Sequence, residues 1–367
     1  MNRWSQLSLF SLIELQRGFD LPEGQRRDGD VPVVASTSIV GWHNEARVGG
    51  PGVVIGRSGS IGGARWIKED FWPLNTTLWV KDFRGNDRLF IYYLLRSIDF
   101  SRFNAGTGVP TLNRNHLTSV DVQLPPLDEQ RAIARVLGAL DDKIESNGRM
   151  SQITVDLMIT TWQLYASTSQ PGKIGGLVSN STVRVGDRTA DVVVLSATAA
   201  GQLVRSDEFF KKQVYSKNIS KYLLVPPWSF AYNPSRANIG SIGLNVGPET
   251  GAVSPVYVVA QAAGPAESWW LELALRTESV RNDIAAFSSG SVRQVLRFHD
   301  LASIGIPLPD STQLRSFFSE LSPLIEVRQR NEKESGSLAA LRDALLPELL
   351  SGRLRVRDAE KAVEGVV

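Results

Sequence analysis

Gly59-Ser60-Ile61-Gly62 recurs as Gly240-Ser241-Ile242-Gly243, 181 positions further along the chain. The same offset carries Ile133, Val136, Leu137, Leu140 and Ile144 onto Leu314, Phe317, Phe318, Leu321 and Ile325. Between these markers Leu95-Arg96-Ser97 answers to Leu275-Arg276-Thr277. Gly106 to Leu124, with Leu112, Leu117 and Val120, answers to Gly290 to Leu308, with Leu296, Leu301 and Ile304. One half of the chain is a diverged copy of the other. A period this long is that of duplicated domains, since stacked solenoid units run ~20–50 residues.

With 367 residues, 42% of them hydrophobic and 21% charged, the chain has material for two or more ordinary cores. No run approaches the ~18 apolar residues of a membrane helix, and Met1 to Gln6 has no signal-peptide core. The absence of cysteine rules out disulfides and thiolate metal sites and fits a reducing, cytoplasmic setting. Three scattered histidines, His43, His116 and His299, make neither a metal centre nor a Ser/His/Asp set. A net charge of +2 neither demands nor excludes a nucleic-acid partner, because basic residues can gather on one face. Lys211 to Lys217 and Arg353 to Arg357 are locally basic, as a solvated face or a binding patch would be.

Residues 1–120 alternate short β-rich runs with Gly, Pro and Asn punctuation. Strands are expected at Val31–Val34, Gly52–Ile55 and Thr77–Val80, and a helix at Arg88–Ile98. Pro125-Pro126 then marks a boundary, with Asp128 and Glu129 placed to complement the dipole of the helix that follows. Its apolar pattern runs to about Ser167, with Asn147-Gly148 as an expected weak point. Beyond Gln170-Pro171-Gly172 a second β-rich segment is expected to hold strands at Val192–Leu195, Tyr222–Val225 and Pro255–Val259 and a helix at Ser268–Arg276. Pro307-Leu308-Pro309 repeats the boundary, and a second long helix runs from about Ser311 to about Leu350.

The expected fold is mixed α/β (α+β). Two duplicated domains, 1–120 and 170–306, are separated by long helices in 121–169 and 307–354, and a polar tail follows at 355–367. Each helix presents an apolar stripe that must be covered, so the two are expected to pair as an antiparallel coiled coil related by a pseudo-dyad. A second apolar flank, Met150, Met158 and Trp162 on one helix and Leu338, Leu346 and Leu350 on the other, is expected to stay open for partners. A duplicated chain can grip a partner that is itself two-fold related, such as duplex DNA.

Gly56 to Gly63 has the look of a phosphate loop but lacks the Lys-Ser/Thr of a nucleotide-binding one. It reads either as a tight turn using glycine for positive φ or as a backbone approach to nucleic acid. Asn233-Pro234-Ser235-Arg236 lacks the aromatic of an amino-methyltransferase motif, and Asp207-Glu208 with Lys211 is a loose match to a nuclease set. The tryptophans of the two domains, Trp42, Trp66, Trp72, Trp79, Trp228, Trp269 and Trp270, are expected mostly in cores.

Leu124-Pro125-Pro126-Leu127-Asp128-Glu129-Gln130-Arg131-Ala132-Ile133-Ala134, followed by Leu140-Asp141-Asp142-Lys143-Ile144-Glu145, resembles the first conserved helix of type I restriction–modification specificity subunits. Leu345 to Leu354 resembles the end of their second. Arg17-Gly18-Phe19-Asp20-Leu21-Pro22 and Val54 to Gly62 resemble a common form of their target-recognition domain. The second copy departs from the pattern, with Pro309-Asp310-Ser311-Thr312-Gln313 in place of the acidic helix start.

The resemblance implies a non-catalytic subunit that reads a split target on double-stranded DNA. It also implies two methyltransferase subunits using S-adenosylmethionine and motor-nuclease restriction subunits using ATP and Mg, with no cofactor on this chain. The alternative is an interaction scaffold whose duplicated domains bind protein. Base readout needs bidentate side chains, and phosphate contact needs basic and small polar groups. Candidates in the first domain are Arg57, Ser58, Ser60, Arg65, Arg102, Thr107, Asn113 and Arg114. In the second they are Lys217, Asn233, Arg236, Asn238, Ser241, Arg293, Gln294 and Arg297.

Overall fold

The computed structural model describes residues 4–106, 108–187, 189, 192–209, 215–288 and 295–366. The chain forms two compact units, Met1–Arg149 with Asn331–Val367, and Met150–Arg330. It passes between them twice, at Arg149/Met150 and at Arg330/Asn331, each time inside a long helix.

In the first unit, β1 (Glu14–Arg17), β2 (Gly52–Gly56), β3 (Gly62–Ile67) and β4 (Thr77–Asp82) form an antiparallel sheet in the order β1-β4-β2-β3. β2 is buried along its whole length because both faces are covered. Val53 and Ile55 point into the core shared with α1 (Arg88–Ser97), while Val54 joins Val34, Ile67 and Phe71 under a smaller sheet of Val31–Val34, Ile39–His43 and Trp72–Pro73. Asp87 caps α1 by accepting from the Phe90 amide at 2.9 Å, and every residue from Phe90 to Leu95 is buried. Trp42 departs from the expectation for its residue type, standing 55% exposed on the outer strand of the smaller sheet.

The helix α2 (Leu127–Ala166) starts in this unit. Gln130 fixes its entry: the buried amide donates to Asn86 and to the Pro125 carbonyl and accepts from the Asp87 backbone, each at 3.0 Å. That ties the helix start to the cap of α1. Ile133, Leu137 and Leu140 then share one core with Leu338, Leu345 and Leu349. Arg342 meets Asp141 at 2.6 Å and Asn147 donates to Glu334 at 2.8 Å, so one number rises as the other falls and the segments run antiparallel. Asn147-Gly148 is no interruption, because the asparagine amide finds its acceptor on the facing helix.

Asp141 also accepts from the Tyr93 hydroxyl at 2.6 Å. Burial, then that hydrogen bond, pushes this phenol far above its ordinary range, so it stays a donor at any working pH. Asp141→Ala strands a buried hydroxyl and leaves Arg342 without its shortest partner. The expected loss is about 1–3 kcal/mol of stability, read from the urea midpoint of the purified complex, with Asp141→Asn losing less. An unchanged midpoint for the alanine variant would show that the network contributes nothing.

The second unit repeats the plan. β5 (Val178–Ser181), β6 (Ser229–Tyr232), β7 (Ile242–Leu244) and β8 (Val258–Ala262) form an antiparallel sheet in the order β5-β8-β6-β7, which is the order of the first sheet. α3 (Pro265–Ala274) takes the place of α1. A four-stranded sheet of Val193–Ala197, Leu203–Arg205, Leu223–Val225 and Gly251–Val253 forms the outer layer. In the core, Met158 and Trp162 of α2 pack with Phe317, Leu321 and Ile325 of α4 (Ser311–Leu350). Tyr165 donates to Glu320 at 2.7 Å and Gln313 to Thr168 at 3.2 Å, again antiparallel.

Each unit thus holds its own paired segment of the two helices, and the compact units do not end where the helices begin. The ribbon strands Ser5–Ser8 with Asp121–Leu124, and Gln170–Lys173 with Gly305–Leu308, close each globular part ahead of its helix. Both long helices have 40 residues and begin at Leu127 and Ser311, which corrects their register from 181 to 184. The three-residue difference is nearly one helical turn of ~3.6, so Ile133, Leu137 and Leu140 also fall on apolar Phe317, Leu321 and Leu324 at the new offset, while Val136 and Ile144 fall on Glu320 and Arg328.

Three further expectations are corrected. Met158, Trp162, Leu338, Leu346 and Leu350 belong to the cores, and the open apolar residues of α2 beyond Arg149 are Met150, Ile153, Leu157 and Leu164. The polar tail is a helix, Val356–Glu364, that buries Ala359 and Val363 in the first unit's core. Pro255 to Tyr257 lie before strand β8, which begins at Val258.

Candidate nucleic-acid interface

Three segments of the first unit meet at the end of β1. Gly18 runs so close to the neighbouring chain that a Cβ there would sit 2.2 Å from the Leu74 carbonyl oxygen, which only glycine permits. Its amide donates to Thr77, Phe19 donates to Pro73 and Asn75 donates back to Phe19, at 3.1, 2.8 and 2.9 Å. Past the end of β2, the Arg57 amide donates to Thr76 at 2.8 Å, and the Arg57 carbonyl accepts from the Leu112 amide at 2.7 Å. Asn113 then caps the short helix Arg114–Ser119 by accepting from Asn115 at 3.0 Å. These ladders form a cleft lined by Gln16, Arg17, Asp20, Arg57, Asn113 and Arg114, with three guanidiniums against one carboxylate.

Two of those guanidiniums are tethered. Arg57 donates through Nη1 to the Asn75 carbonyl at 3.1 Å, and Arg114 through Nη1 to the Leu15 carbonyl at 3.0 Å. A fork fixed on one side loses less freedom when a ligand engages the other.

The second unit keeps the frame and changes the side chains. The Leu296 amide donates to the Pro234 carbonyl at 3.0 Å, matching Leu112 on Arg57, and Arg297 precedes the helix Phe298–Ser303 as Asn113 precedes Arg114–Ser119. Pro234 and Phe298 therefore occupy the places of Arg57 and Arg114. Gly59 and Gly240 have φ of 84° and 87°, so the recurring tetrapeptide is used in both copies for its left-handed turn.

Of the remaining sequence candidates, Ser58 pairs with Thr111 at the rim and Ser60 is exposed in the turn after β2. Arg65 lies mid-strand opposite Val54, its Nε buried without a hydrogen-bond partner among the described residues. The Arg102 guanidinium rests over the Phe103 ring, 4.8 Å from its centroid.

In the second unit Asn233 caps the turn Pro234–Ile239, where Arg236 and Asn238 are exposed. Asn238 borders a cleft with Gly201, Glu272, Arg276 and Arg281, in which burial raises the Glu272 carboxyl against the opposing pull of Arg276 at 2.7 Å. Ser241 is buried, its hydroxyl donating to the Ala197 carbonyl at 3.0 Å, so it holds the turn and does not face solvent. Lys217 is exposed beside Arg205 and Asp207. Thr107, Arg293 and Gln294 lie outside the described residues.

The structure brings Arg57, Asn113 and Arg114 into one cleft and leaves Arg65, Arg102, Lys217 and Ser241 out of it. It adds Gln16, Arg17 and Asp20, two of which stand in the Arg17-Gly18-Phe19-Asp20 motif. Asp207 and Glu208 are paired with Arg205 at 3.5 and 2.9 Å, an arrangement that satisfies their charge locally.

Residues 1–155 match the family model described as the type I restriction modification DNA specificity domain. The type I restriction enzyme MjaIX specificity subunit of Methanocaldococcus jannaschii is 23% identical over 304 residues, covering 73% of this chain and 69% of that protein. The crystal structure of the type I restriction–modification system S subunit from M. genitalium has the same fold, with a TM-score of 0.61 at 15% identity over 95% of this chain and 96% of that one. The specificity domain in the first half, its recurrence as the same sheet order in the second, and the pair of long helices make this chain similar to type I restriction–modification specificity subunits.

Proposed function

We propose that this chain is the non-catalytic, sequence-reading subunit of a DNA-modifying complex, and that each globular unit reads one part of a split target. The observation that carries this reading is one frame built twice with different side chains at corresponding places. Arg57 and Arg114 in one unit answer to Pro234 and Phe298 in the other. A duplication that served only symmetry would have no use for that divergence, whereas two readers of different half-sites require it. Methyl transfer from S-adenosylmethionine and ATP-driven cleavage belong, on this reading, to partner subunits. The purified chain alone should transfer no methyl group to DNA, and adding the methyltransferase subunit should restore transfer. Methylation by the chain alone would overturn the division of labour.

The second unit's part of α2 has a place for such a partner. Met150, Ile153, Leu157 and Leu164 follow a spacing of three, four and seven residues and are 49–67% exposed. That is one continuous apolar face of a helix whose opposite side is already packed. Ile153→Glu with Leu157→Glu should cut co-purification of the methyltransferase subunit at least tenfold and leave the fold intact, since neither side chain is in the core. Undiminished co-purification would place the partner elsewhere.

A further inference from the structure

We propose that Arg57 and Asp20, held by Asn75, read a guanine–cytosine pair in the major groove. This rests on the reading of the chain as a DNA-specificity subunit. The major-groove edge of that pair presents two acceptors on guanine, N7 and O6, and one donor on cytosine, N4. Its complement is two parallel donors beside one acceptor.

Asn75 assembles that complement. Its main-chain carbonyl accepts from Arg57 Nη1 at 3.1 Å, which leaves the Nε–Nη2 edge of the fork for guanine. Its side-chain amide donates to the Asp20 carboxylate, which is exposed. Asn75 is itself held by its amide donating to the Phe19 carbonyl at 2.9 Å, so one residue fixes both groups.

A phosphate clamp would not include Asp20, since a carboxylate repels the ligand. Adenine offers one acceptor and one donor on this edge, so the arginine's two donors would meet a donor. In the second unit Pro234 stands at the position of Arg57, so the pair belongs to one half of the target.

The test is to express Arg57→Ala, Arg57→Lys and Asp20→Asn each with the methyltransferase subunit and map the methylated sites. Arg57→Ala should relax one G·C position of one half-site by roughly 5- to 150-fold, the range of one good bidentate contact, and Arg57→Lys and Asp20→Asn should each relax that same position by a smaller factor. All other positions should hold. Lysine keeps the charge but not the fork, and asparagine keeps the shape of Asp20, so these two decide if the alanine variant does not fold. A motif unchanged at every position, or methylation lowered uniformly with the motif intact, would overturn the proposal while the wild-type split target still stands. No split target from the wild-type complex would instead remove the reading beneath it.

Discussion

Replacing residues 9–120 with the corresponding segment of a relative is expected to change one half of the recognised target completely and leave the other half untouched. The joints for this graft are given by the ribbon ahead of α2, in which Ser8 pairs with Asp121. The segment enters and leaves at adjacent positions, so a foreign insert with the same spacing need not disturb the helix. The equivalent joints in the second copy are Lys173 and Gly305. Each copy has its own sheet, its own covering helix and its own turn, so no base contact of one depends on the core of the other. Sequencing of methylated sites reads the outcome. A graft that altered both halves would show that the copies do not read separately.

The second large effect concerns the distance between the halves. The chain crosses between its compact units only inside α2 and α4, close to where Asn147 meets Glu334. Four residues added to each helix at that level, after Asn147 and before Glu334, lengthen both by about 6 Å with about 40° of residual rotation. Six ångströms approaches two base-pair steps of ~3.4 Å. The expected target keeps both half-sites and gains one or two base pairs of nonspecific spacer. An active variant with the original spacer would show that these helices do not set the spacing.

Much of the architecture was legible from the chain. The prolines at 125–126 and 307–309 and the apolar stripes between them gave both long helices, because helix periodicity and its breakers are local signals. Strands rich in valine, isoleucine and leucine, such as Val31–Val34 and Gly52–Gly56, were legible for the same reason. The helix Glu278–Phe287 was not foreseen; it follows α3 directly, with only a capping Thr277 to announce it. The tail's burial depends on Ala359 and Val363, two small residues in a charged run that gain meaning only from the core they reach.

The interface was legible by residue type and not by partnership. Arg57, Asn113 and Arg114 were visible as polar groups near turns, and their convergence is written in backbone hydrogen bonds between segments far apart in sequence. Asn75 carries no sequence signal, since its role comes from the register that sets Phe19 beside Leu74. Ser241 misled because a serine in a glycine turn looks alike whether its hydroxyl faces solvent or, as here, the Ala197 carbonyl.

One chain that reads two different half-sites through two copies of one frame must leave a methylation pattern that shows both. The most direct test is strand-resolved mapping of methylated adenines in cells that express this chain together with its methyltransferase subunit. The expected result is a single split motif of two unlike half-sites around a fixed spacer, methylated once in each half and seen only when both chains are present. A continuous motif, two identical halves, or methylation with this chain omitted would contradict it.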